Sequence, residues 1–121
     1  MPLDPNAVPA LLRALDSEDV FVRITAAEAL GKIGNPVAIR RLLDTYSDPR
    51  PDVRRRVVTA LQQIGVEPRA NAAAKVVPGL ARALRDPEPL VRYAAESALR
   101  RLDTSAARQA LAAWRGDSRG G

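Results

Sequence analysis

An internal repeat is the feature of this sequence that most restricts its fold. Residues 8–15 read Val-Pro-Ala-Leu-Leu-Arg-Ala-Leu and residues 77–84 read Val-Pro-Gly-Leu-Ala-Arg-Ala-Leu, with a weaker copy at residues 39–46. Each copy precedes a turn and then a Val-Arg pair, whose arginines are Arg23, Arg54 and Arg92. These arginines lie 31 and 38 residues apart. A period of this length indicates a protein built from stacked repeats.

Apolar residues follow each of these arginines at helical spacing. Counted from the arginine, positions +3, +6, +7 and +10 are apolar in all three copies. They are Ala26, Ala29, Leu30 and Ile33, then Val57, Ala60, Leu61 and Ile64, then Ala95, Ala98, Leu99 and Leu102. Steps of three and four residues place them on one side of an α-helix. No useful length of sequence alternates apolar and polar residues, so β-strands are not expected.

Turn signals divide the chain into helical hairpins. Asp-Pro pairs at residues 48–49 and 86–87 place a capping side chain ahead of a proline in the first helical turn. Gly34 and Gly65 are predicted to lie just beyond helix ends. One hairpin cannot bury its apolar side alone, so neighbouring hairpins stack. The sequence therefore predicts an all-α fold, an α-solenoid of about three helical hairpins with a C-terminal capping helix.

The repeats define one domain, predicted to cover residues 1–115. Its parts are repeats at about residues 5–34, 35–66 and 72–103, and a capping helix at residues 104–115. We predict that Trp114 packs this helix against the third repeat and that residues 116–121 form a disordered tail. Seven extra residues near residues 66–71 are either a tolerated insertion or a projecting contact loop.

The third repeat resembles the HEAT repeat. Residues 84–99 follow the pattern L-x-D-P-x-P-x-V-R-x-A-A-x-x-A-L, and residues 22–34 are similar to the short bacterial HEAT repeats named after phycobilin lyases. The resemblance covers about residues 5–103, with Ser17 and Gln62 as local departures. It implies that the second helix of each hairpin lines a concave face that holds ligands.

Arg23, Arg54 and Arg92 are the most regular polar feature of the chain. They could form a ladder of contacts to a bound anion. The resemblance instead implies a structural ladder, in which each arginine pairs with turn carboxylates or helix C-terminal carbonyls of a neighbouring repeat. We expect the structural role.

The sides of the second helices that face away from the apolar stripe form the candidate binding surface. Positions +1, +2, +5 and +9 point away from the core. The partner-binding residues predicted on this concave face are Ile24, Glu28, Arg55, Arg56, Thr59, Tyr93, Ser97 and Arg101. They combine apolar and cationic side chains, and arginine and tyrosine are favoured at the energetic centres of interfaces. A plain solvated face is the alternative.

Composition excludes several classes of function. The chain has no cysteine and no histidine, which removes thiol nucleophiles, the common zinc and iron sites and the usual general base. A HEAT-like diiron enzyme built on His-Glu pairs is excluded for the same reason. Neither a Gly-rich phosphate loop nor a nucleophile elbow is found. We therefore predict a protein that is not an enzyme, with no catalytic residues, no metal site and no cofactor.

The leading hypothesis is a protein-binding scaffold or adaptor that uses the concave face. A net charge of +5 favours an acidic protein surface as the partner. One alternative is nucleic-acid binding through a basic concave face, and another is an accessory role in phycobilin attachment or phycobilisome handling. Open ends of so short a stack would also allow self-association. Because no signal peptide or membrane span is recognised, a cytoplasmic location is expected.

Overall fold

The computed structural model describes residues 4–68 and 71–120, and within these residues it contains helices, turns and loops but no strand. The helices are α1 (Val8–Ala14), α2 (Val20–Ile33), α3 (Ile39–Thr45), α4 (Pro51–Gly65), α5 (Ala72–Ala83), α6 (Pro89–Leu102) and α7 (Ser105–Gly120). Short 3₁₀ turns precede α1 and α3. The predicted all-α class is confirmed. Residues 1–3 of the predicted domain, 69–70 of the predicted insertion and 121 of the predicted tail lie outside the described residues.

Aspartates in the turns fix where the second helices begin. Asp48 Oδ1 accepts from the backbone N–H of Arg50 at 2.9 Å, and Asp86 Oδ1 accepts from that of Glu88 at the same distance. The helices start at the second proline of each turn. The capping argument from the sequence had predicted a start at the first proline. A proline fits there because the first helical N–H groups have no partner within the helix.

The two glycines at predicted helix ends have different roles. Gly34 terminates α2 with a φ of 76°, in the left-handed region that glycine adopts at little cost. Gly65 is the last residue of α4, so the prediction that it lies beyond the helix is wrong. A Cβ added to Gly65 would lie 2.7 Å from Val76 Cγ2, which shows that the position requires close packing of α4 against α5.

The three hairpins stack so that their second helices lie side by side. α2 packs against α4, α4 packs against α6, and each first helix packs on its own second helix. The approach of α2 to α4 is close, because a Cβ on Gly31 would lie only 2.8 Å from Ala60 Cα. The buried residues of the predicted stripes are Ala26, Leu30, Val57, Ala60, Leu61, Ile64, Ala95, Ala98 and Leu99. Apart from Tyr46, the described core therefore consists of small and branched aliphatic side chains.

The last helix closes the C-terminal end of the stack. α7 packs against α5 and α6, with Leu111 buried and Trp114 packed against the core, as predicted for the tryptophan. The helix extends to Gly120 and so includes residues 116–120 of the predicted tail. Once a helix is nucleated, each further residue adds a hydrogen bond at little cost, and Asp117 also forms an ion pair with Arg85.

Candidate protein-binding surface

The regular arginines bind the turns of the stack. Arg23 Nε donates to Asp48 Oδ2 at 2.7 Å, and its NH1 group donates to the carbonyl of Ser17 at 2.8 Å. Arg54 Nε donates in the same way to Asp86 Oδ2 at 2.9 Å, and its NH1 group donates to the carbonyl of Asp48 at 2.9 Å. Each of these two arginines thus connects the turn of its own hairpin with the turn of the next one.

Arg92 occupies the end of this series and makes only half of these contacts. Its NH1 group donates to the carbonyls of Asp86 at 2.7 Å and Pro87 at 3.1 Å, which belong to its own turn. Among the described residues no aspartate accepts a hydrogen bond from Arg92 Nε, because the third hairpin is followed by α7 and not by another turn of the same kind. The arginines are therefore engaged within the fold, and Arg23 and Arg54 are not free to bind a ligand.

Asp86 joins this ladder to a buried tyrosine that the sequence analysis did not single out. The Tyr46 hydroxyl donates to Asp86 Oδ2 at 2.5 Å, and Asp86 is only 3% exposed. Burial and then the hydrogen bond to Asp86 raise the pKa of Tyr46. Burial alone would raise the pKa of Asp86, but hydrogen bonds from Arg54, Tyr46 and the Glu88 backbone amide outweigh it and lower that pKa. The carboxylate is therefore charged and fully bonded.

A signal for this cluster was present in the repeat. Tyr46 stands at the position that holds Leu15 in the first copy and Leu84 in the third. A polar atom at a core position requires a partner, and the turn aspartate of the next repeat supplies it. Arg82 also lies over the Tyr46 ring, with its guanidinium carbon 5.2 Å from the ring centroid.

One opening on the predicted face is a cleft between α4 and α6, which we call the α4–α6 cleft. It has a volume of about 390 Å³ and is lined by Arg55, Thr59, Gln62, Leu90, Tyr93, Ala94, Ser97, Ala98 and Arg101. Tyr93 is 71% exposed and Leu90 is exposed beside it. None of these lining residues is acidic, and neither Arg55 nor Arg101 forms an ion pair with any described residue. Two cations and an exposed aromatic ring therefore share one cleft.

A second cleft lies between α2 and α4 and differs in charge. It has a volume of about 370 Å³ and is lined by Glu28, Lys32, Arg56, Thr59 and Gln63. Glu28 Oε1 lies 3.0 Å from Arg56 Nε, although the geometry does not make this contact a hydrogen bond. The charge of Arg56 is thus largely balanced within the protein. Thr59 lines both clefts, so the two clefts adjoin.

The structure brings together seven of the eight predicted partner-binding residues. The exception is Ile24, which is half-buried, packs against the hydrophobic core and lines neither cleft. Its place on the exposed concave face is therefore corrected. Leu90 was missed because the register was counted only forward from Arg92, whereas Leu90 precedes Tyr93 by three residues and shares its side of the helix.

Two further features are absent from the described part of the chain. No cluster of three or more acidic side chains there could hold a metal ion. None of the helices within residues 4–68 and 71–120 is both long and apolar enough to cross a membrane. The cytoplasmic location and the absence of a cofactor remain predictions.

Stacked helical hairpins with a ladder of arginines between their turns define an α-solenoid repeat protein. A family model for HEAT repeats matches residues 3–62 and 39–120, and the chain belongs to the HEAT-repeat family. HEAT repeats are commonly scaffolds for protein interactions. The match does not identify the short bacterial type named after phycobilin lyases, which stays a prediction. No curated protein matches the chain.

Proposed function

We propose that the chain is a protein-binding scaffold that holds an acidic segment of another protein in the α4–α6 cleft. The observation that carries this proposal is that Arg55 and Arg101 both line a cleft whose lining has no acidic residue. A partner carboxylate that contacts these guanidinium groups would form charge-assisted hydrogen bonds, which are stronger than neutral ones. The exposed ring of Tyr93 adds apolar contact area at low cost in side-chain entropy.

The neighbouring cleft contributes less to this recognition. Because Glu28 balances Arg56, a partner carboxylate near Arg56 would compete with a carboxylate of the same chain. Lys32 has no ion pair among the described residues, but it is a flexible and strongly hydrated cation. We therefore place the strongest contacts at the α4–α6 cleft and weaker ones across Thr59.

The experiment is a pull-down from nuclease-treated host lysate that compares three proteins. They are the wild type, the Arg55→Glu/Arg101→Glu variant and a control that reverses the charge of Arg40 and Lys75. The control residues are exposed, form no ion pair with a described residue and lie outside both clefts. Both variants change the net charge by the same amount, so a non-specific loss of basic charge would affect them equally.

We expect the wild type and the control to retain the same protein and the cleft variant to lose it, while circular dichroism shows all three folded. The retained protein is then purified and titrated by calorimetry, where the cleft variant should bind at least about tenfold more weakly. Tyr93→Ala should weaken binding without changing its salt dependence. Equal loss of the retained protein in both variants would refute the proposal that the partner binds in the α4–α6 cleft. Recovery that requires undigested nucleic acid would replace the proposal with nucleic-acid binding.

A further inference from the structure

The first hairpin exposes apolar side chains at positions that the later hairpins bury. Val22 is 40% exposed, whereas Val53 and Val91, which precede the ladder arginines of the other two hairpins, are 0% exposed. Phe21 beside it is 74% exposed, although its counterparts Asp52 and Leu90 are exposed as well. The second and third hairpins each have a hairpin before them in the stack, and the first has none among the described residues. The N-terminal edge of the solenoid therefore presents an apolar surface of the kind that stacking covers.

This edge contains a groove, and the exposed Phe21 side chain forms part of its wall. The groove lies between α1 and α2, has a volume of about 280 Å³ and is lined by Leu11, Ala14, Phe21, Val22, Thr25 and Ala26. No charged residue is among them. Leu11 is half-buried, whereas its counterparts in the other copies, Leu42 and Leu80, are completely buried. An open groove of this composition gains free energy when apolar groups fill it.

At the opposite end of the solenoid, charged side chains occupy the positions that would face a further hairpin. The side of α2 that faces the next hairpin carries Ala27 and Gly31, and Gly31 contacts Ala60 there. The equivalent positions of α6 are Glu96 and Arg100, which form an ion pair at 2.5 Å, as the sequence spacing predicts. α7 covers α5 and α6 at the same end. A second copy could not bury Phe21 there without also burying this ion pair, so head-to-tail stacking is disfavoured.

Continuation of the ladder in front of the first hairpin is also disfavoured. Ser17 stands where the later turns have Asp48 and Asp86, which accept from the arginine of the preceding hairpin. The Ser17 hydroxyl oxygen accepts from the Asp19 backbone N–H at 3.1 Å, as Asp48 and Asp86 accept in their own turns, but Ser17 has no second, charged oxygen for an arginine. A preceding HEAT hairpin would find no carboxylate at the position of Asp48 and Asp86, because the acidic residues of this turn are Glu18 and Asp19. The edge is therefore suited to apolar burial but not to the polar contacts that join successive hairpins.

We propose that this edge is the interface of a symmetric dimer, in which two copies meet at their first hairpins. An isologous interface requires one patch that is complementary to itself. Here the exposed ring of Phe21 forms one wall of the apolar groove, so each copy can place its phenylalanine against the groove of the other. The α4–α6 cleft belongs to the other two hairpins and stays open in both copies. A dimer would then present two equivalent clefts.

The test measures molar mass by light scattering and sedimentation equilibrium at increasing protein concentration. The wild type should approach twice its monomer mass of 13.0 kDa. Phe21→Glu should weaken dimerisation by about a hundredfold or more, because each interface would have to desolvate two carboxylates. Val66→Glu is the matched control, since Val66 is also exposed, at 57%, but lies outside this edge. The control should dimerise as the wild type does.

The outcomes are distinct from those of the pull-down, because no residue of the α4–α6 cleft is changed. Circular dichroism should show both variants folded, since Phe21 and Val66 are exposed. A wild type that remains monomeric at every concentration overturns the proposal and leaves the edge to a different chain or segment. The proposal also fails if Phe21→Glu leaves the dimer intact, or if Val66→Glu dissociates it equally.

Discussion

The carboxylate of Asp86 is the polar group whose removal should cost this fold most. Asp86→Ala deletes the acceptor for the Tyr46 hydroxyl, for Arg54 and for the Glu88 backbone N–H. The Arg54 side chain is only 13% exposed, so water replaces its lost partner poorly. The substitution leaves a largely buried guanidinium with only the carbonyls of its own turn as acceptors, and a buried hydroxyl without its acceptor.

The expected loss of stability follows from the groups that are left without a partner after the carboxylate is deleted. Removing one partner of a buried ion pair typically costs about 3 to 5 kcal/mol, because the other charge is left uncompensated. The total stability of a domain is commonly about 5 to 15 kcal/mol, so the variant should lose a large share of it. For a chain of this size the melting temperature should fall by roughly 10 to 20 °C. Asp16→Ala breaks an exposed pair with Arg41 and should cost under about 1 kcal/mol.

The assay is urea denaturation of the wild type and both variants, followed by circular dichroism. It should be repeated from neutral pH to acid. Because the pKa of Asp86 is lower in the folded protein than its usual value of 3.8, its ionisation stabilises the fold above that value. This contribution disappears as the pH falls through the lower, folded-state pKa. The difference in the free energy of unfolding between wild type and Asp86→Ala should therefore become smaller below pH 3.8.

Two results would refute this reasoning. An Asp86→Ala variant as stable as Asp16→Ala would show that the contacts of Asp86 contribute no more than an exposed pair. A difference that stays constant into acid would show that the ionised carboxylate is not its source. Tyr46→Phe provides an internal check, because it should destabilise the wild type but recover part of the lost stability once Asp86 has been removed, when the hydroxyl has no acceptor.

The remaining predictions concern packing. Gly31→Ala should lower the free energy of unfolding by about 1 to 3 kcal/mol, because the new Cβ would lie 2.8 Å from Ala60 Cα. Gly79→Ala is the control and should be neutral or stabilising, since it meets only the end of the Leu43 side chain and gains helix propensity; equal losses in both would contradict the close approach of α2 and α4. Trp114→Ala should destabilise the fold by about 1 to 3 kcal/mol, because the half-buried indole packs α7 against the core. Tryptophan fluorescence and circular dichroism of the wild type should report one transition, and an earlier fluorescence change would show that α7 detaches first.

The sequence alone determined the architecture because the information was local and was repeated three times. Positions +3, +6, +7 and +10 after each arginine define a stripe whose spacing only an α-helix brings to one side. Most of these side chains are buried in the structure. The same register identified Arg55, Tyr93 and Arg101 as residues that point away from the core. They line one cleft because neighbouring hairpins place equivalent positions side by side.

Only the tertiary structure decided which groups meet across repeats. Tyr46 and Asp86 are 40 residues apart, and the pairing of Glu28 with Arg56 also joins two hairpins. Each contact depends on how far one helix is displaced along its neighbour, which periodicity within a helix does not specify. The same limit explains why Ile24 is partly buried although its spacing predicts exposure. Spacing along a helix gives the direction of a side chain, whereas its burial depends on the neighbour that packs beside it.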